Sequence, residues 1–338
     1  MRERTRRPAV VVACLTLFLA FFDMSSSAGQ SQPRRGGNQS TQPKRPSAPA
    51  RLPCGTLLDF FVGLDRHSFS PGEIGPRSTA NLRRALRAFQ AANDLTVTGQ
   101  PDCETWKRLQ DTSTAASVDY EITADDVKGP FATEIPERLE DQGTLPALEY
   151  HSPLERLSER FHASPALLRQ MNPRARFDAG ERIKVPAVTP FEASAKPASE
   201  ASGDIIITVS KADSSLRAVS ADGKLVFFAP VSSGSEHDPL PIGDWTVTEI
   251  AWRPVFHYNP NLFWDADPRD VSTAIKPGPN NPVGVVWIGI SVEHYGLHGS
   301  PEPARVGQAE SHGCIRLTNW GAARLASLVK RGTRLVFQ

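Results

Sequence analysis

At 338 residues the chain exceeds one average domain and has room for two or three, each with a modest core. Its 38 Lys and Arg against 37 Asp and Glu leave a formal charge of +1, so the totals call for no polyanionic partner such as nucleic acid.

The N-terminus predicts a secretory signal over 1–28. Arg2, Arg4, Arg6 and Arg7 precede an apolar run from about Ala9 to Phe22. That run is shorter than the ~20 residues a spanning helix needs, and the small residues Ser25-Ser26-Ser27-Ala28 suit a signal peptidase. An uncleaved anchor is the other reading of the same run. Residues 29–51, rich in Gln, Ser, Pro, Arg and Gly, lack an apolar period and read as a flexible tether from the export site, in periplasm or cell wall.

Of the four cysteines, Cys14 would leave with the signal. The mature chain then keeps Cys54, Cys103 and Cys314, and an odd number in an oxidising compartment leaves a free thiol or an intermolecular bridge. Cys54 and Cys103 bracket one short segment and are expected to pair. Cys314 is expected to stay free.

Three folded segments are expected. In 52–110, Leu57, Leu58, Phe61 and Leu64 have helical spacing, as do Leu82, Leu86 and Phe89 after Thr79. Asp102-Cys103-Glu104-Thr105-Trp106 opens a third short helix. The polar, proline-broken stretch 111–145 reads as a linker. In 146–187, Leu148-Glu149-Tyr150 predicts a strand, Leu154, Leu157 and Phe161 a helix, Ser164-Pro165 the start of another, and Ile183-Lys184-Val185-Pro186 a closing strand. Residues 188–202, mixing Pro, Ala, Ser and Glu, read as a second linker. The segment 203–338 turns to strands: Ile205–Val209, Leu216–Val219, Leu225–Phe228 after an Asp222-Gly223 turn, Trp245–Ile250, Val285–Ile290 and Arg334–Phe337. One late helix is expected from about Asn319 to Lys330, with Gly332 as its stop. Trp252 to Trp264 is aromatic and irregular, and reads either as a loop roofing a site or as plain packing of an insertion.

The chemistry concentrates near the C-terminus. Cys314 stands in Ser311-His312-Gly313-Cys314-Ile315-Arg316, and a cysteine nucleophile must lose its proton, which a neighbouring imidazole assists. His298, sixteen positions earlier, is far enough away for its strand end to fold back on the cysteine turn, so it is preferred as base over the nearly local His312. Gly313 removes bulk beside the nucleophile, where backbone N–H groups of Gly313 and Cys314 can face an oxyanion. His312 and Cys314 have no further regularly spaced ligands, so no metal or cofactor is expected.

Three resemblances follow from these residues. Phe89-Gln90, Thr98-Gly99, Asp102 and Thr105-Trp106 resemble the small three-helix peptidoglycan-binding domain across nearly all of 52–110. The strand–helix–helix–strand of 146–187 with Asn172-Pro173 resembles a lysin motif, LysM, although His151-Ser152 stands where such motifs carry Gly-Asp. His298-Gly299 followed by Ser311-His312-Gly313-Cys314-Ile315-Arg316-Leu317 and Asn319 resembles the L,D-transpeptidase (YkuD-type) catalytic domain over 203–338. Ser232-Ser233-Gly234 and Pro239-Leu240-Pro241-Ile242-Gly243 add to that likeness. The fold class implied is multidomain: a small all-α domain, an α+β LysM-like module, and a mainly-β catalytic domain, sandwich- or barrel-like with a late helix.

The last resemblance implies that Cys314 attacks the L,D bond of a peptidoglycan stem tetrapeptide and that His298 is its base, held by the carbonyl of Gly299. His312, Gly313 and Cys314 would line the oxyanion site, with His312 alternatively filling the turn. Tyr295, Ser311 and Arg316 would shape or anchor the donor stem, Arg316 alternatively being an ion-pair residue. An amine of a neighbouring stem would resolve the thioester into a 3–3 cross-link. Water or a protein lysine would instead make the enzyme a carboxypeptidase, a cross-link hydrolase or a protein-attaching enzyme, and a retired Cys314 would leave a wall-binding scaffold.

Overall fold

Three side-chain-capped helices open the structure, a computed structural model that describes residues 52–110, 115–201 and 203–338. The expected signal and tether lie outside the described residues. Helix α1 (Leu57–Arg66) starts on a Thr56–Asp59 capping box, α2 (Ala80–Ala92) on Thr79, and α3 (Cys103–Leu109) on Asp102. Leu82, Ala85, Leu86 and Phe89 line one face of α2 and are buried against Phe60, Phe61 and Leu64 of α1. The Cys54–Cys103 disulfide ties the entry of α1 to the first residue of α3. Gln90, fully buried, accepts from Gly99 N–H at 2.8 Å, and its amide nitrogen lies 3.0 Å from Thr98 Oγ1 and 2.9 Å from Thr105 Oγ1.

The next segment departs from expectation. The strand partner of β2 (Arg182–Pro186) is β1 (Ser117–Glu121), antiparallel, with Val118 opposite Val185. Residues expected as linker therefore supply the sheet. Leu148-Glu149-Tyr150 forms no strand, because its backbone is claimed by the loop at 277–280: Leu148 N–H donates to Pro277 O and Leu148 O accepts from Asn280 N–H. Two helical turns, α4 (Ala124–Val127) and α5 (Leu139–Gln142), precede the expected pair α6 (Pro153–Arg160) and α7 (Pro165–Met171), capped by Ser152 and Ser164. The second expected linker is also packed, since Phe191 and Ala193 are buried in the core of the following region and Phe191 N–H donates to Arg160 O. Low-complexity composition concealed apolar residues with partners far away in sequence. The described residues form one compact unit.

The C-terminal region is built on a nine-stranded sheet in the order β5-β4-β3-β13-β7-β10-β11-β12-β6. Its strands are β3 (Ile205–Ser210), β4 (Ser215–Ser220), β5 (Leu225–Pro230), β6 (Ser232–Ser233), β7 (Gly243–Trp252), β10 (Val286–Ile290), β11 (Gly296–His298), β12 (Ile315–Arg316) and β13 (Arg334–Phe337). The two ends of that order, β5 and β6, are separated in the chain by Val231 alone, so the sheet curls back on itself as a barrel-like layer. Between β7 and β10, a hairpin of β8 (Phe256–Tyr258) and β9 (Thr273–Ile275) stands apart as its own two-stranded sheet. Helix α8 (Asn319–Leu328) packs on β10 and β11, burying Trp320, Ala322 and Leu325. Phe228 in edge strand β5 exchanges backbone hydrogen bonds with Ser68 and Ser70, so the turn after α1 covers the sheet edge. No helix among the described residues is long and apolar enough to cross a membrane.

Candidate active site

Strands β11 and β12 run parallel, with Leu297 opposite Ile315 and His298 opposite Arg316, and this register brings the cysteine turn alongside the histidine strand. Leu317 N–H closes the pairing on His298 O at 2.8 Å. Cys314 is the residue immediately before β12, so its half-buried thiol sits at the mouth of the pair. The turn ahead of it needs a glycine: Gly313 has φ +91, and a Cβ there would come within 2.6 Å of the Tyr295 ring. Tyr295 thus lies directly against the residue before Cys314.

Ser311 is bound into the turn itself. Its Oγ donates to Cys314 O at 2.6 Å and accepts from Gly234 N–H at 2.8 Å, and it is 4% exposed. With its one proton committed to the turn, it ties Cys314 to the β6 end.

His298 is 3% exposed and stacks on Trp287 at 5.8 Å between ring centroids. Its Nδ1 lies 2.6 Å from Gly299 O. A carbonyl oxygen only accepts, so Nδ1 carries the proton and the lone pair is on Nε2. Burial, helped by the Arg316 guanidinium, pushes the imidazolium pKa down to about 3. Burial likewise pushes the Cys314 thiol up to about 11, opposed by the Gly296 N–H and by Arg316. Both shifts favour the neutral form of each group. The thiol points at the His294 carbonyl, with Sγ to O 3.7 Å. Arg316, itself lowered by burial, has no carboxylate within ion-pair distance among the described residues, so its charge is available to the thiolate.

His312 is held from above. Its Nε2 is 2.9 Å from Asp265 Oδ1, and the Phe263 ring lies 5.1 Å from its own. Trp264, 58% exposed, stacks on His237 at 4.1 Å. The aromatic insertion thus packs over the His312 side of the turn. His312 Nδ1 is buried without a partner among the described residues, as is Asp238 Oδ2, whose charge is felt by both Tyr295 and Cys314.

Several participants had no signal in sequence. His294 contributes a carbonyl at φ +67, Gly296 an N–H, Trp287 a stacking surface and Asp265 a carboxylate. Only Asp265, beside the aromatic run, lay where a polar anchor for the roof would be sought.

Residues 204–337 match the family YkuD, the L,D-transpeptidase catalytic domain, and residues 63–109 match the family described as "Putative peptidoglycan binding domain". The chain therefore carries an L,D-transpeptidase catalytic domain behind a helical peptidoglycan-binding domain. Among curated proteins, it is 45% identical over 60 residues to "Putative L,D-transpeptidase YkuD" of Bacillus licheniformis, covering 18% of this chain and 36% of that one. The protein of the same name from Bacillus subtilis is 47% identical over 57 residues, covering 17% and 35%. The chain spans about a third of the length of these relatives. Among solved structures, the L,D-transpeptidase from Mycobacterium smegmatis aligns at 18% identity and TM-score 0.33, over 49% of this chain and 76% of that one.

Proposed function

We propose that this chain is an exported cysteine L,D-transpeptidase that acts on peptidoglycan stem tetrapeptides through a thioester on Cys314 and joins stems by 3–3 cross-links. The observation that carries the reading is the strand register that sets the Cys314 turn beside β11, whose His298 has its Nδ1 proton committed to Gly299 O, leaving Nε2 as the basic nitrogen.

With thiol and imidazole both neutral, the proton moves during attack and no ion pair waits in the free enzyme. The Cys314 proton passes to His298 Nε2 as Sγ bonds to the carbonyl carbon of the L,D bond after the third stem residue. The oxyanion is received by the N–H groups of Gly313 and Cys314, with His312 at its edge, and the Arg316 charge stabilises the developing anion. Collapse breaks the C–N bond, and His298 returns the proton to the departing D-alanine amine. The acceptor amine then attacks the thioester, losing its proton through His298 to the Cys314 sulfur. No cofactor enters the scheme. Tyr295 flanks the donor, while the helical domain and the LysM-like segment hold the polymer.

The test is product mass. The mature chain incubated with a purified disaccharide-tetrapeptide yields a dimer lacking one D-alanine, and the Cys314→Ala protein yields none. Product from Cys314→Ala would overturn the reading. Tripeptide alone from the wild type would make water the acceptor.

A further inference from the structure

Helix α6 lies outside the catalytic-domain match, yet one of its side chains reaches into the catalytic region. Glu159 is 7% exposed. Its Oε1 accepts from Asn319 Nδ2 at 2.8 Å, and its Oε2 accepts from Tyr150 OH at 2.6 Å. Asn319 is fully buried at the first position of α8, and both ends of its amide are bonded. Besides Glu159, its Nδ2 donates to Pro279 O at 3.0 Å, and its Oδ1 accepts from Val285 N–H at 3.1 Å. That oxygen is packed so closely on Gly299 that a Cβ there would collide with it. Gly299 in turn donates its N–H to Val286 O and offers its own carbonyl to His298 Nδ1.

We propose that Glu159 is a positioning residue for the transpeptidase reaction: it fixes the Asn319 amide, which seats the Gly299 peptide whose carbonyl holds the catalytic histidine. The inference rests on the reading of His298 as the base. An amide has two ends that differ only in donor and acceptor character, and Glu159 Oε1 joins Pro279 O and Val285 N–H in keeping Nδ2 toward α6 and Oδ1 toward Gly299 and Val285. Without that acceptor, the buried donor is left unsatisfied and the Gly299 peptide loses the wall that sets its plane. The segment before the catalytic match is then part of the catalytic apparatus, in addition to any hold on the wall.

The experiment uses the full mature chain with Glu159→Leu and Glu159→Gln, each checked for folding by near-UV circular dichroism. Gln keeps an oxygen for Asn319 and turns its NH₂ toward the Tyr150 oxygen, which can accept. Glu159→Leu is expected to lower kcat by about ten- to a hundredfold with KM little changed, as misplacing a catalytic group does. Glu159→Gln should recover most of that loss. The ¹⁵N resonances of His298 report the Nδ1–H tautomer in wild type and Gln variant, and a mixture of tautomers in the Leu variant. This readout needs no turnover, so it decides the positioning role even if the wild type fails to make cross-links. Should Glu159→Leu not fold, Asn319→Ser carries the same kinetic and spectroscopic expectation. A folded Glu159→Leu or Asn319→Ser protein with wild-type kcat and an unchanged His298 spectrum would overturn the proposal.

Discussion

The helical region 52–110 and the region 203–338 bury polar groups to opposite ends. In the first, the cysteines are consumed in a disulfide, and Gln90 satisfies the Thr98–Gly99 turn and the start of α3 from the inside. In the second, a thiol stays single, a histidine is sealed at 3% exposure with one nitrogen left basic, and two buried polar atoms nearby have no partner among the described residues. A small domain with little core closes its polar groups on one another and gains rigidity. The candidate site leaves some of them open, and the surrounding sheet holds them in place.

The largest expected effect separates the two regions cleanly. His298→Ala should lower kcat for cross-link formation by on the order of 10²- to 10⁴-fold while leaving the melting of the helical region unchanged. A rate measured at saturating tetrapeptide, beside a thermal scan, checks both halves.

Removing the staple should do the converse. Cys54→Ser with Cys103→Ser frees a loop spanning 49 positions of sequence separation, and the chain-entropy account assigns it about 4 kcal/mol. Urea titration should show that loss, and the double variant should keep its kcat at temperatures where it remains folded. A dead but folded double variant would mean that the two regions are not separable in this way.

The thiol itself sharpens the contrast by its pH dependence. A thiol raised to about 11 holds little thiolate at neutral pH. Alkylation of the free enzyme by iodoacetamide at pH 7.5 should run roughly a hundredfold slower than that of an exposed cysteine of pKa ~8.5. Its rate should climb with each pH unit through pH 10, without levelling at 9. A plateau near pH 6 would instead reveal a resting ion pair with His298.

The smallest effect tests the closed network. Gln90→Ala leaves Gly99 N–H without its partner and should cost about 2 kcal/mol in stability, read by denaturant midpoint, with no change in cross-linking rate.

Legibility in sequence followed range. The three opening helices, with their caps at Thr56, Thr79 and Asp102, are written in residues three apart, and the observed boundaries stay close to that spacing. Of the strands of 203–338, β3, β4, β5, β7, β10 and β13 were legible because apolar alternation records which side faces a core, and Gly223 at φ +85 marks the expected turn, whereas the short β6, β8, β9, β11 and β12 carry no such alternation. Two stretches of weak composition misled. Val118 and Tyr120 of β1 sit in a polar run and gain strand identity from β2, 61 or more positions away in the pairing Glu121 with Arg182. Phe191 read as part of a linker because its partners belong to a sheet that begins later in the chain.

Sequence alone determined the reactive inventory: a cysteine with no partner to pair, a glycine ahead of it, and a histidine at a distance that lets a strand return. Those are statements of residue type and short spacing, and they survive any arrangement of the rest. Only the tertiary structure decided the protonation of that inventory and its support. The sealing of His298, the commitment of Ser311 to the turn, and the reach of Glu159 to Asn319 across 160 positions all depend on burial and strand register. Desolvation and hydrogen-bond direction are properties of packed neighbours, and a chain read one residue at a time carries no record of them.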